Sequence, residues 1–239
     1  MILAVLQARM SSSRLPAKVL APVLGRAMVL RQIDRLRRSR RIDRLVVATS
    51  TAPSDDPLVE ALRDAGVEVR RGPLEDVLAR FALVVGEMAP DQIVRLTADC
   101  PLADPAVIDA VIERQIVSGA DYTSNVLPRT FPRGLDVEVV SASAFARLLE
   151  LELSDDEREH VTMGIHRRQD RFAIENVIDE VDRSELRWTV DYPEDLDFVR
   201  AVYERLFPSD PAFDSAAVRR LLDEVPGLRR TESDADASH

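Results

Sequence analysis

The chain has 239 residues, 46% apolar and 31% charged, a balance that suits one folded soluble core and is too apolar for a disordered chain. A net charge of −10 argues against general nucleic-acid binding, no apolar run nears the roughly 20 residues of a membrane helix, and the N-terminus lacks a secretory signal, so a cytoplasmic protein without membrane insertion is expected. One cysteine, Cys100, and three histidines exclude an intrachain disulfide and a typical structural zinc cluster, which leaves oxygen ligands for any metal.

Ile2 to Leu6 is a short apolar run that reads as a buried first strand. It leads into Gln7 to Lys18, where Arg9, Arg14 and Lys18 interleave with Ser11, Ser12 and Ser13. Small residues let backbone N–H groups approach phosphate, hydroxyls add donors, and the cations neutralise charge; the bland alternative is a polar connecting loop. With no glycine before Gly25, the segment is neither a dinucleotide fingerprint nor a Walker A loop. Lys18 is the sole lysine among 32 basic residues, and a lysine offers a compact point charge where arginine offers a planar fork. Arg35, Arg37, Arg38, Arg40 and Arg41 read as a solvated helix face.

Leu30, Ile33 and Leu36 recur at helical spacing, and Leu45 to Ala48 is a second buried strand. Helices follow around Leu58 to Ala65, Leu74 to Val85 and Pro105 to Val117, with strands at Val67 to Val69 and Ile93 to Ala98. This alternation predicts a parallel sheet covered by helices on both faces, with ligands beyond the carboxyl ends of its strands. After Gly119 the rhythm changes: Asp121 to Val126, Leu135 to Val140 and Phe172 to Ile178 read as strands of a mixed sheet, with a helix-like stretch at Asp155 to His166. Leu186 to Val190 is expected to close the sheet, and helices follow at Leu196 to Leu206 and Val218 to Leu222. One domain over 1–230 and a disordered tail over 231–239 complete the expectation.

Asp99-Cys100-Pro101 and Asp191-Tyr192-Pro193 each close an apolar strand. Two such carboxylates suit a Mg²⁺ that also takes substrate phosphates, with helix capping as the alternative. The excursion containing Asn125, Arg133 and Asp136, with Glu159 and His160 beyond it, mixes donors and acceptors that suit a polyhydroxylated or anionic partner; an exposed helix surface is the other reading of Glu159 and His160. Cys100 reads as a buried small side chain.

The segments at 7–20, 95–102, 131–139, 157–162 and 187–196, among them QARMSSSRLPAKVL, RLTADCPL and RWTVDYPEDL, resemble the cytidylyltransferases of the spore-coat polysaccharide SpsF type, relatives of acylneuraminate cytidylyltransferase. The resemblance spans Met1 to about Leu206. It implies a three-layer α/β/α nucleotide-diphospho-sugar transferase (GT-A-like) fold and transfer of CMP from CTP to a small acidic, sugar-like acceptor, with Mg²⁺ as cofactor; a homodimer is compatible with it. It also implies that Ala8, Arg9, Met10, Ser11, Ser12, Ser13, Arg14 and Lys18 hold the triphosphate, with Thr49, Arg71 and Thr97 near the rest of the nucleotide. Asp99 and Asp191 would bind the metal and act with Arg14 and Lys18 in catalysis, while Asn125, Arg133, Asp136, Glu159 and His160 would face the acceptor. A glycosyltransferase consuming a nucleotide sugar, or an inactive nucleotide-binding protein of the same fold, are the rival readings. Two departures stand out: the family loop usually carries glycine where this chain has Ser11 and again at Ala17, and a Cβ is strained wherever φ must be positive.

Overall fold

The computed structural model describes residues 1–232. From the N-terminus run β1 (Ile2–Gln7), the short ribbon β2 (Pro22–Val23) and β3 (Arg26–Ala27), α1 (Met28–Leu36), β4 (Arg44–Ser50), α2 (Asp56–Asp64), β5 (Glu68–Gly72), α3 (Val77–Met88), β6 (Gln92–Thr97) and α4 (Pro105–Ser118). The later part supplies β7 (Tyr122–Ser124), β8 (Glu138–Ser141), α5 (Ala142–Leu149), α6 (Asp155–Glu159), α7 (Met163–His166), β9 (Ile174–Asn176), α8 (Pro193–Leu206) and α9 (Ser215–Glu224). Among the described residues no helix is long and apolar enough to cross a membrane.

Seven strands form one sheet in the order β5-β4-β1-β6-β8-β7-β9. The pairs β5-β4, β4-β1, β1-β6 and β7-β9 are parallel, and β8 runs antiparallel to both neighbours. The period-2 alternation of β1 sorts its side chains between two layers. Leu3 and Val5 join Val46, Ala48 and Ile93 beneath Phe81, Val84 and Phe145, whereas Ala4 and Leu6 join Val47, Val94 and Leu96 against Val29, Ile33, Ile108 and Ile112. A third cluster gathers Trp188, Leu196, Val199, Tyr203, Phe213 and Val218 where α8 and α9 pack. The result is a three-layer α/β/α molecule. Because the chain leaves β1 for β4 on one side and returns as β6 on the other, the order reverses at β1, and Gln7 pairs with Thr97 at the carboxyl end of that crevice.

Four expectations need correction. Leu186 to Val190 is not a ladder strand: it is wedged between the excursion and the C-terminal segment through isolated bridges, Arg187 to Arg133 and Leu186 to Thr231, while Trp188 fills the third cluster. The stretch 155–166 is two short helices, α6 and α7, broken where Val161 takes φ 49°. Thr231 and Glu232, assigned to the tail, are tied down, the first by its bridge and the second by ion pairs to Arg133 and Arg187; 233–239 lie outside the described residues. Arg35 is not solvated: it is buried, donates from Nε to the Ala103 carbonyl at 2.7 Å and lies over the Phe213 ring. The unpredicted helix α5 is signalled by Ser141, whose side chain caps it by accepting from the Ala144 amide.

The excursion is locked to the rest of the sheet by close backbone approach at Gly134, which has φ 107°. A Cβ there would lie 2.7 Å from the Trp188 carbonyl carbon and 2.9 Å from the Thr189 nitrogen. Gly134→Ala is expected to destabilise the protein by about 3 kcal/mol or more, since both backbone strain and overpacking act at once; urea unfolding measures it, and a loss within experimental error of zero would refute the packing argument.

Candidate active site

The loop after β1 is held by a buried carboxylate. Asp55, fully buried, accepts from the Met10 amide at 2.7 Å, from the Ser50 amide at 3.1 Å and from the Thr49 hydroxyl at 3.0 Å, and also bonds the Ser50 hydroxyl. Burial pushes its pKa up, but the hydrogen bonds from Ser50, Met10 and Thr49 outweigh that and hold it below the usual carboxylate range. Met10 and Thr49 thus anchor the loop from behind.

The loop walls a cleft of about 300 Å³ at the carboxyl ends of β1 and β6. Ala8, Arg9, Ser12, Ser13, Arg14 and Lys18 line one side, Thr97, Asp99 and Asp191 the other, and Glu159 and His160 close it. Lys18 sits at its centre: Nζ donates to Asp191 Oδ1 at 2.9 Å and to the Val190 carbonyl at 2.6 Å, and lies 3.9 Å from Asp99 Oδ2. Arg14 reaches the same Asp191 oxygen at 2.9 Å and stacks over Tyr192 at 5.0 Å, while Arg187 takes Oδ2 at 2.5 Å. Burial raises the pKa of Asp191, yet Lys18, Arg14 and Arg187 together overcome it and keep the carboxylate ionised. Arg187 is itself shared with Asp195 and Glu232. An amide of the same segment, Val190 N–H, donates to the Asp99 carbonyl at 2.8 Å and so fixes the two carboxylates to one another.

Two side chains here were not foreseen from sequence. Arg80 on α3 lines the cleft, is 2% exposed and donates to the carbonyls of Pro73 and Leu74. Burial first, then the nearby charge of Arg9, lower its pKa, so it presents a cation hungry for an anion. Val77, at the start of α3, also lines the cleft. Neither carries a signal in sequence, because each reaches the site only through the packing of α3.

A second cavity of about 220 Å³ shares Thr97 and His160 with the first. Its walls are Arg95, Arg129, Asp136, Glu138, Thr162 and His166, with Val126 and Met163. Glu138 accepts from Tyr122 and Thr162 at 2.7 Å each, bonds Arg95, and lies 3.4 Å from His166 Nε2. Burial pushes the Glu138 pKa up, but Arg95 and the hydrogen bonds of His166, Thr162 and Tyr122 drive it well below the usual range. Arg95, the one charged residue of β6, was the available sequence signal for this cavity.

Of the residues singled out from sequence, the structure gathers Ala8, Arg9, Ser12, Ser13, Arg14, Lys18, Thr97, Asp99, Asp136, Glu159, His160 and Asp191 on the two cavities. It does not bring six others there. Thr49 is buried against Asp55, Met10 supplies a backbone anchor, and Ser11 is exposed. Arg71 bonds the Ser50 and Ala52 carbonyls, and Arg133 is paired with Glu232. Asn125 is buried, bridging the Leu135 carbonyl at 2.7 Å and the Val137 amide at 2.9 Å, a pin for the excursion.

Among the described residues no group of three or more His, Cys, Asp or Glu side chains is placed to hold a metal. The pair Asp99 and Asp191 still fits a divalent ion that draws its remaining ligands from phosphate and water. An ammonium already bridges the two: it lies 3.9 Å from Asp99 Oδ2, while Oδ1 accepts from Thr97 at 2.6 Å.

Comparison with known proteins bears on what this arrangement does. The cytidylyltransferase family profile matches residues 3–205. The spore coat polysaccharide biosynthesis protein SpsF of Bacillus subtilis (strain 168) is 33% identical over 242 residues, covering 98% of this chain and 99% of that protein. A cytidylyltransferase from Leptospira borgpetersenii serovar Hardjo-bovis (strain JB197) superposes with TM-score 0.90 at 28% identity over 95% of both chains. A CMP:2-keto-3-deoxy-manno-octonic acid synthetase solved with CTP shares the fold, with TM-score 0.65 at 16% identity over 85% of this chain and 98% of that one.

The loop and the buried network each yield a test. Ala17 takes φ 60° and ψ 16°, whereas Ser11 is not among the positive-φ residues, so only position 17 strains its Cβ. Ala17→Gly is expected to stabilise by about 1 kcal/mol, raising Tm by about 2–4 °C, which calorimetry reads. Glu138, held below its ordinary value of 4.5, stabilises the fold above that pH and loses its contribution as pH falls through the depressed value. Glu138→Gln leaves Arg95 buried without its counter-charge, so it is expected to lose about 3 kcal/mol at neutral pH and to flatten the acid limb of the stability curve. An unchanged acid limb in urea titrations would sink the assignment.

Proposed function

We propose that this chain, which belongs to the cytidylyltransferase family, transfers CMP from CTP to a sugar or sugar-acid acceptor and releases pyrophosphate. Membership makes it a nucleotidyltransferase; the choice of CTP, the acceptor and the residue roles are our reading. One observation carries it: Arg9, Arg14, Lys18 and Arg80 converge on a cleft at the switch point of the sheet, and a polar cavity opens from its far wall. The names of the relatives support the reading, since one acts in polysaccharide biosynthesis and one fold neighbour was solved with CTP.

In this reading the backbone from Ala8 to Ser13 approaches the triphosphate, and Arg9 and Arg80 neutralise it. The acceptor oxygen attacks the α-phosphorus in line, and pyrophosphate leaves toward Arg14 and Lys18. Those two cations are ready to exchange part of their hold on Asp191 for the departing anion. Asp99 and Asp191 would hold Mg²⁺, which supplies Lewis-acid stabilisation of charge when bound. The chain's own contribution is positioning and fixed positive charge. His160, which lines both cavities, and Glu159, on the wall of the first, face the acceptor.

Lys18→Ala and Asp99→Ala are each expected to reduce pyrophosphate release from CTP by about a hundredfold or more. CTP with Mg²⁺ is expected to raise Tm by mass action more than other nucleoside triphosphates do. Normal turnover by either variant would falsify the roles given to these residues, and equal shifts by all triphosphates would remove the preference for cytosine.

A further inference from the structure

Val161 makes a strained turn beside the second cavity. It is β-branched and buried, yet takes φ 49°, a conformation such a residue keeps only where its surroundings impose it. The turn ends α6 and starts α7, which presents Thr162 and His166, four residues apart, on one face. Both reach the same oxygen of Glu138: the Thr162 hydroxyl donates to Oε1 at 2.7 Å, and His166 Nε2 lies 3.4 Å from it. Nε2 is also 2.8 Å from the Tyr122 hydroxyl, which donates to Oε1 at 2.7 Å.

These contacts fix where the proton of the His166 ring sits. Glu138 is ionised and can only accept. Tyr122 keeps its proton, because burial first and Glu138 second push its pKa up, and it gives that hydrogen bond to the carboxylate, the stronger acceptor. The phenol oxygen then accepts from Nε2–H, and a bare Nε2 lone pair facing the carboxylate would be repelled. In the neutral ring, therefore, Nδ1 carries the lone pair. Among the described residues the polar contacts of the ring are those with Tyr122 and Glu138, so Nδ1 has no protein donor, and the side chain, 25% exposed, lines the cavity.

We propose that His166 is the general base of the transfer: Nδ1 takes the proton of the acceptor hydroxyl that attacks phosphorus, with Tyr122 and Glu138 as positioning residues. The inference rests on the nucleotidyl-transfer reading above, and it holds for a sugar and a sugar acid alike, since it concerns the attacking hydroxyl and not the rest of the acceptor. The second cavity meets the cleft at Thr97 and His160, so an acceptor seated in it extends toward the triphosphate. As the hydroxyl oxygen bonds to the α-phosphorus, the bond from that phosphorus to the bridging oxygen breaks, its electron pair leaves with pyrophosphate, and the hydroxyl proton moves to Nδ1. Glu138 stabilises the imidazolium so formed, as the carboxylate behind the imidazole does in hydrolytic triads, and the proton is then lost to water. His160 has no such support: its side chain is 53% exposed, and its Nε2 lies 3.5 Å from Asp156 on the neighbouring α6.

Nitrogen NMR of histidine-labelled protein tests the tautomer without any acceptor. The His166 signals, identified by their loss in His166→Gln, are expected to report Nε2–H in the neutral ring; an Nδ1–H ring overturns the proposal. Tyr122→Phe removes the partner of Nε2 and is expected to bring the Nδ1–H tautomer into the spectrum and to lower kcat about tenfold; an unchanged spectrum overturns the positioning role. Pyrophosphate release from CTP with Mg²⁺ is followed with 3-deoxy-manno-octulosonate and mannose as the acid and the neutral probe. His166→Gln keeps an N–H for Tyr122 but has no basic nitrogen, and it is expected to lower kcat about a hundredfold or more while KM for the acceptor stays within about threefold. In His166→Ala, added imidazole is expected to raise the residual rate about tenfold. Undiminished kcat in His166→Gln, or a rate in His166→Ala that imidazole does not lift, overturns the base. A thermal shift with CTP separates the two levels: if CTP stabilises the protein and His166→Gln turns over as fast as the unaltered chain, only the base fails, and if no triphosphate stabilises it and no pyrophosphate forms, the reading beneath it fails.

Discussion

The Lys18 ammonium, drawn between Asp191, the Val190 carbonyl and Asp99, is the contact on which the site depends. It joins three distant parts of the chain: the loop after β1, the end of β6, and the segment before α8. Both carboxylates bring negative charge to the cleft, and in the proposed reading they would repel a polyphosphate unless compensated. Lys18, Arg14 and Arg187, arranged around Asp191, offset its charge and keep that carboxylate ionised. That arrangement requires the backbone of 190 to meet that of 99, which the Val190 to Asp99 hydrogen bond secures.

Around this centre most of the cations lining the two cavities are paired with carboxylates: Lys18 and Arg14 with Asp191, Arg95 with Glu138 and Arg129 with Asp136, while Arg80 donates to carbonyl oxygens. The pairings follow from topology. Arg80 projects from α3, whereas Arg95 and Glu138 face each other across the antiparallel β6-β8 pair, in direct register. A parallel sheet that continued unbroken past β6 would not set those two side chains opposite one another in this way.

Much of the sheet was legible in sequence because its central strands are buried on both faces and read as plain apolar runs. The cleft was legible for a related reason: a polar loop, two Asp-X-Pro turns and a lone lysine all stand where apolar runs stop. What escaped reading depended on distance. The 186–190 segment has a strand's composition, yet its partners are the excursion and the C-terminal segment, so it became an irregular wedge. Asn125 and Thr49 are polar residues near a site that serve backbone positions, and sequence does not separate such pins from ligand contacts. Arg80, Arg129 and His166 reach the cavities only through packing of elements far apart in the chain.

Arg187 divides its guanidinium among Asp191, Asp195 and Glu232. Glu232 therefore competes with Asp191 for one cation, and its hold on Arg187 moderates how tightly Asp191 is gripped. The carboxyl-terminal segment is in this sense a counterweight: a change in the chain that moves Glu232 alters the electrostatic tension at the cleft, although none of the described residues of that segment lines it. Choosing where to end or fuse this protein is thus a decision about its site as well as its surface.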